Sequence, residues 1–415
     1  MTETNILNSL TIYNFYNILK TELIFSLLKS KTKRKGRNKI KQGNSKQLKE
    51  FNKKIVLKTI RDNNPISRTD LTKITDLSHT TISNITEELF QDNFLVEVGV
   101  GESKGGRKPI LLDFNPGKYY FISMELAADH IDISLLNLND KIIESNKKDI
   151  DKRLSKDDII SLIKELTNEI LSLISSDEII LAMTIGVSGI INQSEDIIVN
   201  SAALGIDNMN IKYILEKNHD FPVYVVNDAN LATLAEKHFR TENLNNFIYI
   251  FLGPSMGAGI VIENNIYFGN HGSAGEIGHI KVDLNGPDCF CGNQGCLISV
   301  LSSYISLDNI NQMETEFNYI IENDLYEEKN YQNFCQYLSM GISNYIKIND
   351  PDRIILGGHI VNIAPKRFYI DISKLVRNNL IKGLEKDILI EPSIIKNNSI
   401  ILGGSQWCFK KSLLE

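Results

Sequence analysis

From about residue 44 to residue 91 the apolar positions recur every three or four residues; beyond residue 94 they alternate or run together as strands do. Within F-N-K-K-I-V-L-K-T-I, Ile55, Val56 and Ile60 face inward on a first helix. Ser67 then stands as an N-cap with Asp70 three residues on, opening a second helix whose stripe is Leu71, Ile74 and Leu77. After a turn around Asp76, Ile82, Ile85 and Leu89 take one face of a third helix at i, i+3 and i+7. Its first turn and opposite face carry Ser78, His79, Thr80, Thr81, Ser83 and Asn84, short polar side chains able to reach base edges in a major groove. The stretch F-L-V-E-V-G-V-G-E-S-K-G-G-R-K-P-I-L-L-D reads as a β-hairpin with Lys104, Gly105, Gly106, Arg107 and Lys108 at its tip. Cations beside glycines suit phosphates or a minor groove. Three helices and a basic hairpin predict a winged helix-turn-helix over residues 44–113, with duplex DNA as its partner.

From Tyr119 strand and helix patterns alternate. Y-Y-F-I-S-M-E-L, H-I-D-I-S-L-L-N-L and D-K-I-I-E-S-N predict a three-stranded meander, followed by a helix from about Lys156 to Ser175. I-I-L-A-M-T-I-G-V-S-G is a buried strand ending in a glycine turn, and P-V-Y-V-V-N-D-A-N another, opening a helix at Ala229. A chain of 415 residues with 42% hydrophobic and 23% charged residues has the size and composition of two or three globular domains.

The net charge of −6 conceals a split. Up to Ile110 there are 20 basic residues against 11 acidic, and beyond it 25 against 40. A basic front and an acidic body point to a polyanion-binding segment joined to something else. Residues 1–43, with an amphipathic stretch at Leu10–Leu28 and then K-S-K-T-K-R-K-G-R-N-K-I-K, are expected to be a flexible extension. No apolar run approaches the ~20 residues of a membrane span. The basic cluster follows the short apolar Glu22–Leu28 instead of preceding it, the wrong order for a signal peptide. A cytoplasmic location without membrane partners is the expectation, and Cys335 and Cys408 read as buried thiols.

The densest chemistry lies between Gly272 and Cys296. His279, Cys289, Cys291 and Cys296 offer one imidazole and three thiolates, a full tetrahedral set for zinc, with Gly286, Gly292 and Gly295 allowing the tight turns. With every position taken by protein, no metal-bound water remains, so the expected ion is structural.

This stretch closely resembles the signature of the ROK family (repressors, open reading frames and sugar kinases). S-R-T-D-L and G-G-R-K-P resemble the DNA-binding half of that family's repressors, which its kinases lack. The resemblance implies a two-lobed actin-like ATPase fold over residues 114–415. A first lobe spans about 116–240 with the C-terminal helix 403–414 returning to it; the second spans about 241–400. It implies further that Glu276 and His279 face a sugar, and that the sugar-binding glutamate two positions after the last cysteine is replaced by Ile298. Asn227 and Asp228 match a kinase motif whose aspartate takes a proton from the sugar hydroxyl; here Asp228 reads as a ligand contact, the alternative being a helix N-cap.

The family's first phosphate turn, roughly D-x-G-G-T, is Glu125-Leu126-Ala127-Ala128-Asp129 in this chain. A carboxylate there would repel a phosphate by about 4 kcal/mol at ~4 Å and an effective dielectric of 20. The second turn, Gly253–Gly259, is partly kept, and Ile354–Gly358 is intact. The expectation is therefore a repressor without catalytic residues, binding operator DNA as a homodimer or tetramer and answering to a sugar or sugar phosphate, xylose and N-acetylglucosamine being frequent in the family. The alternative is an ATP-dependent sugar kinase with an added DNA-binding domain.

Overall fold

The computed structural model describes residues 43–102, 108–150, 154–242, 244–307, 310–384 and 388–415. The N-terminal extension up to residue 42 and the hairpin tip with Lys104, Gly105, Gly106 and Arg107 lie outside them. The chain divides into two compact units, Met1–Asn52 and Lys53–Glu415. Of the first, only the opening of helix α1 (Gly43–Asn63) is described; everything below concerns the second.

Strand β1 (Ile66–Ser67) leads into α2 (Arg68–Thr75) and α3 (His79–Gln91), and β2 (Leu95–Val100) and β3 (Ile110–Phe114) form an antiparallel pair with β1 on the other side of β3. Each short helix begins on a serine cap: Ser67 accepts from the Asp70 amide and Ser78 from the Thr81 amide, both at 3.1 Å. Asp76, in the left-handed region at φ 55°, ends α2.

Ile82, Ile85 and Leu89 are buried as expected, whereas Ile74 is 54% exposed and Ile55 only half-buried. The first departure follows from the brevity of α2: the helix stops one residue after Ile74, and Leu71 and Leu77 fill the core on either side of the Asp76 turn. In α1 the buried stripe is Val56, Leu57 and Ile60, so Leu57 takes the place expected for Ile55.

Two α/β lobes follow. The first sheet runs β11-β7-β4-β5-β6, from β4 (Tyr119–Leu126), β5 (His130–Asn137), β6 (Ile142–Asp149), β7 (Ile179–Val187) and β11 (Val223–Asn227); β4, β7 and β11 are parallel and the meander antiparallel. A small sheet of β8 (Ile190–Asn192), β9 (Ile197–Ser201) and β10 (Ile206–Met209) follows β7. Helix α4 (Lys156–Leu171) carries a reciprocal Ser155–Asp158 capping box and ends before the expected Ser175. After α5 (Ile211–Glu216), α6 (Asp228–Phe239) leads to the second sheet. That sheet runs β14-β13-β12-β15-β16, from β12 (Phe247–Leu252), β13 (Met256–Ile262), β14 (Asn265–Ile266), β15 (Arg353–Gly358) and β16 (Leu389–Pro392). Helices α7 (Leu297–Ser302), α8 (Ile310–Glu322), α9 (Lys329–Asn349), α10 (Ile360–Ile363) and α11 (Lys366–Asn379) complete the second lobe.

The chain ends with α12 (Ser399–Phe409) and a π-helical turn, Lys410–Leu414, so the last helix starts four residues before the expected Gly403. At Gly403 and Gly404 it packs directly on α6 and the first sheet. A Cβ on Gly403 would lie 1.9 Å from the Leu231 carbonyl oxygen, and one on Gly404 2.0 Å from Ser123 Oγ. One hydrophobic core joins Val56, Ile60, Leu71, Ile82 and Leu89 to Phe121, Leu138, Ala182, Cys408 and Phe409, so packing does not pause near residue 113.

Candidate functional site

The four ligand atoms of His279, Cys289, Cys291 and Cys296 all lie within 4.8 Å of one another. His279 Nδ1 is 3.6 Å from Cys289 Sγ, and the Cys291 and Cys296 sulfurs are 3.7 Å apart. A tetrahedral ion with ~2.3 Å bonds to sulfur needs edges of about 3.8 Å, so the residues fit a metal. Backbone geometry makes the turn: Gly295 sits at φ +70°, and any Cβ there would lie 1.6 Å from the Asp283 carbonyl oxygen. The Cys289 amide donates to the Asn293 carbonyl at 2.7 Å, closing the loop that presents Cys291. Burial pushes the Cys296 thiol up to about 12; a bound cation offsets that by stabilising the thiolate.

Three residues before His279, Glu276 caps a short 3-10 turn, Ile277–His279. This turn is pressed onto β13: a Cβ on Gly275 would lie 1.8 Å from the Ala258 carbonyl oxygen and one on Gly278 2.5 Å from that of Met256. Burial and then the charge of Asp228 raise Glu276 to about 7, so the structure brings these two carboxylates within electrostatic reach. Tyr345 of α9, raised to about 12 by burial and by Glu276, adds a phenol that the sequence did not single out. Asp228 is 7% exposed; its Oδ1 accepts from the Ala229 amide at 2.8 Å and its Oδ2 from the Ser255 hydroxyl at 3.1 Å. The N-cap of α6 is Asn227, whose Oδ1 accepts from the Asn230 amide at 3.2 Å and whose Nδ2 donates to the Gly189 carbonyl. Asp228 is thereby left with its carboxylate inward. Ile298 is 1% exposed and lies in the apolar core of the second lobe.

The stretch Glu125–His130 lines a narrow cavity of about 30 Å³ together with Asp228, Ser255 and His359. Asp129 is not an unmatched charge, as the sequence suggested: its Oδ1 lies 2.8 Å from His130 Nδ1, and that contact holds its carboxyl below the usual range. His130 Nε2 is 3.7 Å from Glu125, which burial raises to about 7. His359, which follows the intact Gly357-Gly358 pair, points into the second glycine turn; a Cβ on Gly253 would lie 2.6 Å from its Nδ1. Burial drives its imidazole down to about 4, in the neutral form. Sequence reasoning missed His359, because a residue after a glycine pair carries no periodic signal.

On α3, His79, Thr80, Ser83 and Asn84 are exposed on one face, and Lys108 is exposed at the base of the hairpin. Ser78 and Thr81 are engaged locally, their hydroxyls 2.9 Å apart. Arg68 is held by Thr86 at 3.1 Å beneath the Phe90 ring.

The model of the ROK family matches residues 121–411. The xylose repressor of Bacillus spizizenii is 32% identical over 374 residues, 86% of this chain and 94% of that protein. The crystal structure of a ROK family transcriptional regulator described as a homologue of the Escherichia coli MLC protein aligns with a TM-score of 0.72 and 26% identity, covering 88% of this chain and 96% of its own. A ROK family glucokinase from Streptomyces griseus, solved with glucose and AMPPNP, aligns with a TM-score of 0.60 and 20% identity over 69% of this chain and 98% of its own, a likeness of fold alone. Matches of this extent over the two lobes make the chain a member of the ROK family, with its actin-like sugar-kinase fold.

Proposed function

We propose that the protein is a sugar-responsive DNA-binding transcriptional repressor of carbohydrate uptake or catabolism, with xylose as the first effector to test. The observation that carries this reading is the contrast along one cleft. Asp228 and Glu276 lie within electrostatic reach of each other, whereas Glu125, Asp129, His130 and His359, which share a narrow cavity of about 30 Å³ with Asp228, stand on the stretches that correspond to the family's phosphate turns. Xylose repressors among the relatives support it.

Residues 44–113 then act as a winged helix-turn-helix, with α3 entering the major groove and the hairpin flanking it. Exposed His79, Thr80, Ser83 and Asn84 read bases, Ser78 and Thr81 hold the first turn against the phosphates, and Lys104, Arg107 and Lys108 grip the backbone. Residues 114–415 form the sugar-binding body. Carboxylates accept from vicinal hydroxyls, so Asp228 and Glu276 anchor the sugar, Asn227 borders it, and the ring nitrogen of His279 turned away from Cys289 faces it. Zinc held by His279, Cys289, Cys291 and Cys296 supplies rigidity alone, fixing the turn that carries Glu276. A symmetric homodimer or tetramer on paired half-sites suits such a module. None of the described helices is long and apolar enough to cross a membrane.

The test is fluorescence anisotropy on duplexes from the protein's own locus, with and without D-xylose, N-acetylglucosamine and their phosphates. Binding that weakens tenfold with one sugar is expected; indifference to every duplex sinks the reading. Retention of Asp228 with a donor from Ser255 favours the kinase as the second reading. Steady ADP release with a hexose or pentose would establish it in place of the first.

A further inference from the structure

Helix α6 begins beside the cavity, and its last turn approaches α1 through His238. Asp228 is its first residue, and twelve residues at ~1.5 Å each give it a length of roughly 17 Å. It is gripped along the way by close contacts, made at glycines on both sides. On one side a Cβ at Gly259 of β13 would lie 1.9 Å from Thr233 Oγ1; on the other Gly403 of α12 meets the Leu231 carbonyl. Near its end, fully buried Glu236 accepts from Ser393 Oγ at 2.5 Å and from Arg240 Nε at 2.7 Å, tying the helix to the second lobe. A close-packed rod held this way moves as one piece when the lobes close.

At its far end stands His238. Its Nε2 is 3.5 Å from Asp140 Oδ2 and its Nδ1 3.9 Å from Asp62 Oδ1. Neither distance is a formed hydrogen bond, so a sub-ångström shift of α6 makes or breaks both. Their other partners are committed. Asp140 accepts from Ser405 at 2.6 Å and Gln406 at 2.7 Å, and it pairs with Arg61, which also donates to the Leu138 carbonyl and lies 4.4 Å above the Phe409 ring. The Arg61 and Asp140 side chains are 3% and 5% exposed. A buried pair of this kind tolerates little displacement, because an ion left unpaired there is strongly destabilising. Arg61 and Asp62 belong to α1, whose Val56, Leu57 and Ile60 share a core with Leu71, Ile82 and Leu89 of α2 and α3.

We infer that α6 is the lever joining the carbohydrate cleft to the DNA-reading helices, with His238 as the positioning residue that delivers its motion to Asp62 and Asp140. This rests on the repressor reading above. The test is a comparison of wild type with H238A and D62N. Operator affinity is read by anisotropy with and without D-xylose and N-acetylglucosamine, and sugar affinity by calorimetry. Both variants should hold sugar-free operator affinity and sugar affinity within threefold of wild type, while a tenfold or greater weakening by sugar shrinks to threefold or less. D62N changes a carboxylate that is 41% exposed, so it keeps the test open if H238A fails to fold. Variants that respond as strongly as wild type overturn the lever, and so does an operator affinity lost equally with and without sugar. A wild-type protein indifferent to every sugar would instead sink the repressor reading itself, and the lever with it.

Discussion

Two sets of carboxylates border the same cleft, and burial raises a member of each, Glu276 and Glu125, to about 7. Their surroundings differ. Among the described residues no hydrogen bond reaches the Glu276 carboxylate, and its charged neighbour is another acid, Asp228, whose donors are one amide and the Ser255 hydroxyl. Glu125 and Asp129 have His130 between them, and neutral His359 fills the adjoining glycine turn. A carboxylate without an internal donor, as at Glu276, is poised for a ligand that brings hydroxyls; acids beside an imidazole have less need of one. The difference teaches that neighbouring acids in one fold can differ in what they still need: one set stands beside an imidazole, the other does not.

The sharpest way to break this comparison is at the metal cluster, since the turn carrying Glu276 ends on His279. Cys289→Ser with Cys291→Ser should remove bound metal, measured by atomic absorption, destabilise the second lobe by several kcal/mol and abolish sugar binding in calorimetry. Sugar heats that survive in metal-free protein would detach Glu276 from the ion. A smaller effect is expected from Asp228→Asn. Loss of a charged acceptor should weaken sugar about tenfold to a hundredfold, or 1.5–3 kcal/mol. Because burial raises the Asp228 pKa, the same change should leave thermal stability at neutral pH equal or higher. A variant that binds sugar normally would move the anchor elsewhere.

Much of this was legible beforehand, and the residues show why. Metal spacing and a capping serine are local signals, and the chain obeyed them at His279, Cys289 and Ser67; the Ser78 cap came from the structure. Periodicity placed Ile82, Ile85 and Leu89 because α3 has more than three turns over which a stripe can hold phase. It failed for Ile74, in a helix of two turns, where the cap decides which face survives. Tyr345, His359 and His238 were invisible for another reason. Each acts through a contact made by distant segments meeting, and no spacing within one segment encodes that. The pairing of Asp129 with His130 is adjacent in sequence, yet only the β4–β5 turn reveals that the imidazole faces the carboxylate.

The most local effect isolates Glu125. Glu125 ionises near 4.5 in an unfolded chain and near 7 in the folded one. Between those values the folded state keeps a proton that the unfolded state has released, so stability should fall as pH rises from 4.5 to 7 and then level off. Glu125→Gln removes its share of that fall. Above pH 7 the variant should be more stable than wild type by up to about 3 kcal/mol, and below pH 4.5 the two should converge. Urea unfolding between pH 4.5 and 8 measures this directly. Glu276, which carries a similar shift, contributes to any slope that persists in the variant. If the two profiles run parallel across the range, Glu125 is ionised in the folded protein, and the contrast between the two ends of the cleft reduces to His359 and the lost glycines.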